Sequence, residues 1–124
     1  MNRHETADYI TDTFGVSGEN LWVKFPEYLV FRNRKNKKWF ALIADVEKSR
    51  LGLPGDGKTD IINLKCDMMA GALRMQPGIL PAYHMHRDSW VSILLDGTVP
   101  AEDILPLIDL SYQLTAPRPK RRKA

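Results

Sequence analysis

Helical spacing of apolar residues predicts a helix near each end of the chain and a shorter one between them. The first covers about residues 3–14 and is ended by the glycine that follows. A short helix is predicted over 68–76, with Asp67 as its N-terminal cap. The last is predicted over 100–114, and Pro106 should kink it or mark its true start.

Alternating and β-branched apolar runs predict strands between these helices. The runs cover residues 21–25, 28–31, 39–44, 59–65 and 89–95, and 79–88 reads as irregular or extended. Because most of these runs are joined by turn residues, we expect hairpins rather than parallel crossovers. The order of elements therefore predicts an α+β fold, a two-layer sandwich of one antiparallel sheet with helices packed on one face.

A strongly basic segment separates two of the predicted strands. Residues 28–31 and 39–44 should form a hairpin with its tip at 34–37, where Asn36 suits a turn. A β-ribbon can lie along a DNA groove, and its cations release counterions from phosphates. The candidate nucleic-acid-binding residues here are Arg32, Arg34, Lys35, Lys37 and Lys38. Trp39 is close enough to stack on a base or wedge into DNA, but its apolar ring is better suited to the core. The alternative is a solvated hairpin whose charges prevent edge-to-edge aggregation.

Charge is divided unevenly between the body of the chain and its end. The net charge of the whole chain is +3, yet residues 1–116 carry thirteen basic and fifteen acidic side chains. We expect a single domain over 1–116 and a disordered basic tail over 117–124. The tail could bind phosphates, attach to an acidic partner or only aid solubility. Its basic residues are Arg118, Lys120, Arg121, Arg122 and Lys123.

Composition places the chain among ordinary globular proteins. Its length of 124 residues allows one domain with a core, and 44% of its residues are hydrophobic. A single cysteine excludes an internal disulfide and agrees with a reducing compartment. No apolar run reaches membrane-spanning length, and the first residues lack a signal-peptide core. We therefore expect a cytoplasmic protein.

Residues 52–59 read GLPGDGKT and match the phosphate-binding P-loop pattern letter for letter. A P-loop needs a buried strand directly before it and a helix directly after it. Here the charged residues 47–51 precede the glycines and the predicted strand 59–65 follows them. We therefore expect a connector between two strands and no nucleotide at this loop.

Other groupings of reactive side chains give weaker hypotheses. His84 and His86 would share a face of an extended segment, but a third metal ligand is missing apart from Asp88. Pairing of Cys66 with His84 as a nucleophile has little local support. The first helix carries an acidic face (Glu5, Asp8, Asp12), which a solvated surface near the positive end of the helix dipole explains. We expect no catalytic site, no resident metal or cofactor, and no enzymatic activity.

Several strings in combination resemble a known family. They are KWFALI at 38–43, NLKCD at 63–67, PGILPAYHM at 77–85, LDG at 95–97 and LIDLSYQL at 107–114. Together they resemble the MmcQ/YjbR family of small bacterial proteins over most of residues 5–115. The resemblance implies a two-layer fold like that of CyaY and secretion chaperones. Because iron-binding proteins of the CyaY fold use an acidic first helix, this likeness of fold also raises iron binding at Glu5, Asp8 and Asp12 as an alternative. It also implies DNA binding through a "double-wing" arrangement of hairpins.

These observations lead to two competing functions. The first is low-specificity DNA binding by the basic hairpin and the basic tail. The alternative is a protein-interaction or chaperone-like adaptor module that ignores nucleic acid. In either case we expect a monomer that does not bind a membrane.

Overall fold

The computed structural model describes residues 1–117, so the basic tail residues from Arg118 to Lys123 lie outside the described part. It contains three α-helices and five strands. The helices are α1 (Arg3–Phe14), α2 (Ala70–Leu73) and α3 (Ala101–Thr115). The strands are β1 (Leu29–Arg32), β2 (Trp39–Glu47), β3 (Lys58–Lys65), β4 (Ile79–Pro81) and β5 (Trp90–Leu94). Short 3₁₀ turns occupy Lys48–Leu51 and Asp67–Met69.

The strands form one antiparallel sheet in the order β1-β2-β3-β5-β4. All three helices contribute to a main core on one face of this sheet, which confirms the predicted two-layer α+β architecture. The largest side chains of that core are fully buried: Ile10, Phe31, Phe40, Ile43, Ile62, Leu64, Ile93, Ile104 and Ile108. None of the helices in residues 1–117 is long and apolar enough to cross a lipid bilayer.

The opposite face of the sheet carries a second, smaller apolar cluster covered by irregular segments. Strand residues Val30, Leu42, Ala44, Val46, Ile61 and Leu94 form its floor. Side chains from the loops around Trp22, Leu51 and Tyr83 pack over them. Strand β2 is therefore buried on both sides, which explains its nearly continuous apolar sequence.

Helix α1 has the predicted bounds, and its sequence specifies both ends. Asn2 caps its N-terminus, and Asn2 and Glu5 bond each other's backbone N–H in a capping box. At the other end Gly15 adopts a left-handed φ of 66°, and its N–H donates to the carbonyl of Thr11.

The prediction of a strand over 21–25 was wrong. Within this part of the chain only Glu19 forms an isolated bridge, to Val30. Trp22 instead lies across the sheet face, with its ring edge-on to those of Tyr28 and Trp39 at centroid distances of 5.6 and 5.8 Å. Packing of these rings and hydrogen bonds from Asn20, and not ladder pairing, hold the segment. The segment 79–88, expected to be irregular or extended, begins with β4, an edge strand in which Pro81 is tolerated.

Two details of the other helices also need correction. Asp67 does not cap α2: it has a left-handed φ of 47° and makes no capping bond, while its carboxylate lies 3.7 Å from Lys65 Nζ. The α-helical part is only Ala70–Leu73, because a 3₁₀ turn takes up the first residues. Pro106 does not mark the start of α3, which runs through it from Ala101.

Candidate nucleic-acid interface

The predicted basic hairpin is formed by β1 and β2, with a β-bulge near its tip. Phe31 pairs with Ala41 but Arg32 pairs with Trp39, which leaves Phe40 as the extra residue. The hydroxyl of Ser111 in α3 donates to the carbonyl of Phe40 over 2.6 Å. The bulge thus places Phe40 in the main core and ties the hairpin to α3.

Two asparagines fasten the tip of the hairpin to the C-terminal turn of α3. The side chain of Asn33 is fully buried, and its Nδ2 donates to the Tyr112 carbonyl over 3.0 Å and to Thr115 Oγ1 over 3.3 Å. Asn36 Nδ2 donates to the Thr115 carbonyl over 2.7 Å. Their amide oxygens accept from the backbone N–H groups of Lys35 and Lys38. The turn is therefore held in one conformation from both sides.

Four cations project from this fixed turn. Arg34, Lys35, Lys37 and Lys38 are all exposed, and none forms an ion pair with a carboxylate in residues 1–117. Arg32 differs, because its Nε lies 2.8 Å from Glu19 Oε2 and its guanidinium sits 5.9 Å from the centre of the Trp39 ring. Four of the five predicted hairpin cations therefore remain available to an external anion.

A cleft of about 490 Å³ lies between the hairpin and the end of α1. Its lining includes Arg32, Arg34 and Lys37 on one side and Gly15 and Glu19 on the other. The Arg34 side chain passes so close to Gly15 that a methyl group there would lie 3.1 Å from Nη1. This places a guanidinium near the negative end of the α1 dipole, which steadies it.

The start of the basic tail lies near the hairpin. Helix α3 ends at Thr115, whose carbonyl binds Asn36, and the described chain ends at Pro117. The five tail cations follow in sequence from residue 118. The described chain thus ends two residues after the turn of α3 to which the hairpin is bonded.

Trp39 belongs to the second apolar cluster and not to the tip. It is half-buried against Trp22. It is therefore not free to wedge into DNA from the turn, in agreement with its assignment to the core.

The cysteine and the histidines that were candidates for nucleophilic or metal chemistry lie in different environments. Cys66 is buried, and burial raises the pKa of its thiol, which opposes nucleophilic activation. His84 and His86 are exposed. Residues 1–117 contain no cluster of three or more His, Cys, Asp or Glu side chains suited to a metal ion. Glu5, from the acidic face of α1, is used in the capping box.

The GLPGDGKT segment joins two antiparallel strands. It follows the 3₁₀ turn Lys48–Leu51, and β3 begins at Lys58 within the motif itself. Lys58 Nζ lies 3.6 Å from Asp45 Oδ2 on the neighbouring strand. The helix N-terminus that a P-loop directs at phosphates is replaced by a strand.

Comparison with known proteins identifies the family. The sequence model named YjbR matches residues 12–114. The chain belongs to the YjbR family. It is 40% identical to the Bacillus subtilis protein YyaQ over 116 residues, 93% of this chain and 98% of the relative.

Solved structures of similar proteins share the fold. A Pseudomonas syringae crystal structure has a TM-score of 0.91 and 42% identity, covering 94% of this chain and all of that one. The Deinococcus radiodurans protein DR2400 has a TM-score of 0.64 and 27% identity, covering 86% of this chain and 75% of that one. The strings identified in the sequence thus indicated the correct family.

Proposed function

We propose that this YjbR-family protein is a cytoplasmic, low-specificity DNA-binding protein that acts by binding and not by catalysis. The observation that carries the proposal is the group of four exposed cations on a turn fixed to α3, none of them ion-paired within residues 1–117. The remainder of the body is acidic, so a polyanion is directed to this end.

The physical basis is neutralisation of phosphates by preorganised cations. Because Asn33 and Asn36 already hold the turn, little backbone entropy is lost when it meets DNA. If about four phosphates are contacted, log K should fall with log[salt] at a slope of roughly −3.6. Contacts to phosphates carry no base information, which is why low specificity is expected.

The test is fluorescence anisotropy with duplex DNA across a salt series. Intact protein is compared with a 1–116 truncation and with the double variant Arg34→Glu/Lys37→Glu. The control Lys24→Glu/Lys48→Glu makes the same change of net charge away from the hairpin. We expect the hairpin variant to lose most binding and the control to lose little. If the truncation abolishes binding and the hairpin variant keeps it all, the hairpin is not the interface.

A protein-interaction module is the second candidate, and one observation favours it. Leu21, Val23 and Phe25 expose apolar side chains in the loop on the helix-free face, with Val23 fully exposed. A protein partner captured stoichiometrically after nuclease treatment, together with no DNA affinity, would favour this function. The protein would then act as an adaptor through that loop.

A further inference from the structure

An aromatic groove lies on the helix-free face of the sheet, next to the base of the basic hairpin. Its volume is about 260 Å³, and it is lined by Trp22, Phe25, Tyr28, Trp39, Leu42, His84 and Met85. Phe25 is 46% exposed, and its ring stacks on that of Tyr28 with centroids 4.8 Å apart. The groove therefore offers aromatic surface to solvent while its deeper members are held by packing.

The walls of this groove are held by hydrogen bonds from one exposed side chain, Asn20, and two buried ones, Asn63 and Ser92. On one side Asn20 Nδ2 donates to the carbonyls of Phe25 and Tyr28, each over 2.8 Å. On the other side the backbone of Tyr83 is held by the buried cross-strand pair of Asn63 and Ser92. These bonds make the groove a preformed site and not a gap between loose loops.

The backbone of His84, the residue that follows Tyr83, is strained, and its side chain lies where two surface clefts meet. His84 has a φ of 59°, a left-handed conformation that is uncommon for residues other than glycine. It lines the aromatic groove and also an adjacent cleft of about 460 Å³. Strain of this kind is often found where a backbone is held for binding.

Positive charge flanks the aromatic groove at both ends. At the Trp39 end stands the hairpin. Its Arg32 lies over the Trp39 ring but is paired with Glu19, so the positive charge offered there is that of the exposed turn residues Arg34, Lys35, Lys37 and Lys38. At the His84 end the adjacent cleft is lined by Arg50 and Arg87 and by no acidic residue. Acidic side chains do lie nearby, because Asp45 and Glu47 line a smaller pocket that borders both the aromatic groove and the adjacent cleft. The charge of Asp45 is partly neutralised by its ion pair with Lys58.

We propose that the aromatic groove binds unpaired bases of single-stranded nucleic acid. The strand's phosphates would meet Arg50 and Arg87 on one side and the hairpin cations on the other. An aromatic floor between cationic ends is the arrangement by which proteins bind single strands, because every base has a face that can stack. A duplex cannot use the groove, since its bases are already stacked inside. This inference rests on the proposed function in one respect, because the hairpin cations that bind DNA there also provide one of the two cationic ends of the groove.

The experiment compares a single-stranded thymidine oligonucleotide of about ten nucleotides with a duplex of the same length and with thymidine monophosphate. Phe25→Ala should weaken single-strand binding by about 5- to 100-fold and leave duplex binding unchanged. Val23→Ala is the control, because Val23 is fully exposed beside the groove without lining it. Arg50→Ala/Arg87→Ala, which alters only surface side chains, should also weaken the single strand selectively.

The outcomes separate this proposal from the proposed function. Unchanged single-strand affinity in both variants would overturn the groove proposal, as would equal losses for the duplex. Thymidine monophosphate bound as tightly as the oligonucleotide would show a small-molecule pocket instead. By contrast, duplex binding that survives Arg34→Glu/Lys37→Glu would refute the hairpin and leave the groove result standing.

Discussion

Asn36 Nδ2 lies 2.7 Å from the carbonyl oxygen of Thr115 and joins the tip of the basic hairpin to the end of α3. Such carbonyls at a helix C-terminus have no partner within the helix and must find one elsewhere. Here the partner of the Thr115 carbonyl is Asn36, a residue of the β1–β2 turn that lies 79 positions earlier in the chain. The same bond therefore completes α3 and fixes the turn that carries the exposed cations.

Asn33→Ala should destabilise the protein more than Asn36→Ala. Asn33 is fully buried, so its removal takes one of two donors from the carbonyl of Tyr112 and removes the acceptor of the Lys35 N–H. We expect a loss of about 1–3 kcal/mol in the free energy of unfolding, against about 0.5–1.5 kcal/mol for Asn36→Ala. Urea denaturation measures both. Equal, negligible losses would show that the turn does not depend on α3.

The sequence was sufficient to predict the main features of the fold and the hairpin. Helix α1, the pair β1–β2 and strands β3 and β5 follow from period and turn residues alone. These signals are local, because each depends on neighbours within a few positions. The concentration of cations between two strands is local as well, so the candidate interface could be located before the structure.

The rest depended on contacts between distant residues. Asn36 was assigned to the turn, but neither it nor Asn33 could be matched to α3, some 80 positions later. The segment around Trp22 has the composition of a strand, but in the structure it forms turns whose Trp22 ring packs on the distant Trp39. The aromatic groove was missed for the same reason: its members come from three separate segments. The only feature of the sequence that could have indicated the groove is the high number of aromatic residues between positions 22 and 40.

Gly78→Ala should destabilise the protein, whereas Gly71→Ala should not. Gly78 has a φ of 85°, and an added Cβ would lie 2.7 Å from Val99 Cγ2. Strain and overpacking together should cost about 1–3 kcal/mol. Gly71 lies in α2 with no atom within 4 Å of the new methyl group, so alanine should stabilise it by about 0.5–1 kcal/mol. Thermal or urea unfolding of the two variants gives the comparison.

Stability should decline in alkaline solution. Burial raises the pKa of the Cys66 thiol and of the Tyr9 and Tyr28 phenols above their ordinary values. Each group then holds its proton more tightly in the folded state. Each group therefore adds to the free energy of unfolding. This added stability is complete below the pKa of the group in the unfolded chain, about 8.5 for cysteine and 10 for tyrosine. It is lost as the pH rises through the higher pKa of the folded state.

The measurement is the free energy of unfolding by urea between pH 7 and pH 11. Tyr9→Phe removes one of the three groups, although it also removes the bond from the phenol to Asp109 Oδ1. The variant should be less stable at neutral pH and show a shallower alkaline decline. A wild-type curve that stays level up to pH 11 would contradict the inferred shifts.

Pro106→Ala should stabilise α3. Pro106 is exposed in the interior of the helix, where it provides no N–H for the ladder. Proline costs about 3 kcal/mol relative to alanine at such positions, partly offset by the smaller entropy of the unfolded chain. We expect a net gain of about 1–2 kcal/mol in urea denaturation. A loss of stability would mean that the ring makes packing contacts that alanine cannot replace.

Lys58→Ala should have no effect on any affinity for ATP with magnesium. In a P-loop the lysine stands at the start of a helix, but Lys58 is the first residue of β3 and lies near Asp45. Its ion pair is largely exposed, so its loss should cost less than about 1 kcal/mol. Calorimetry at millimolar nucleotide should detect no binding that depends on Lys58. A micromolar affinity abolished by Lys58→Ala would restore the P-loop interpretation, because only a phosphate contact by that side chain could produce it.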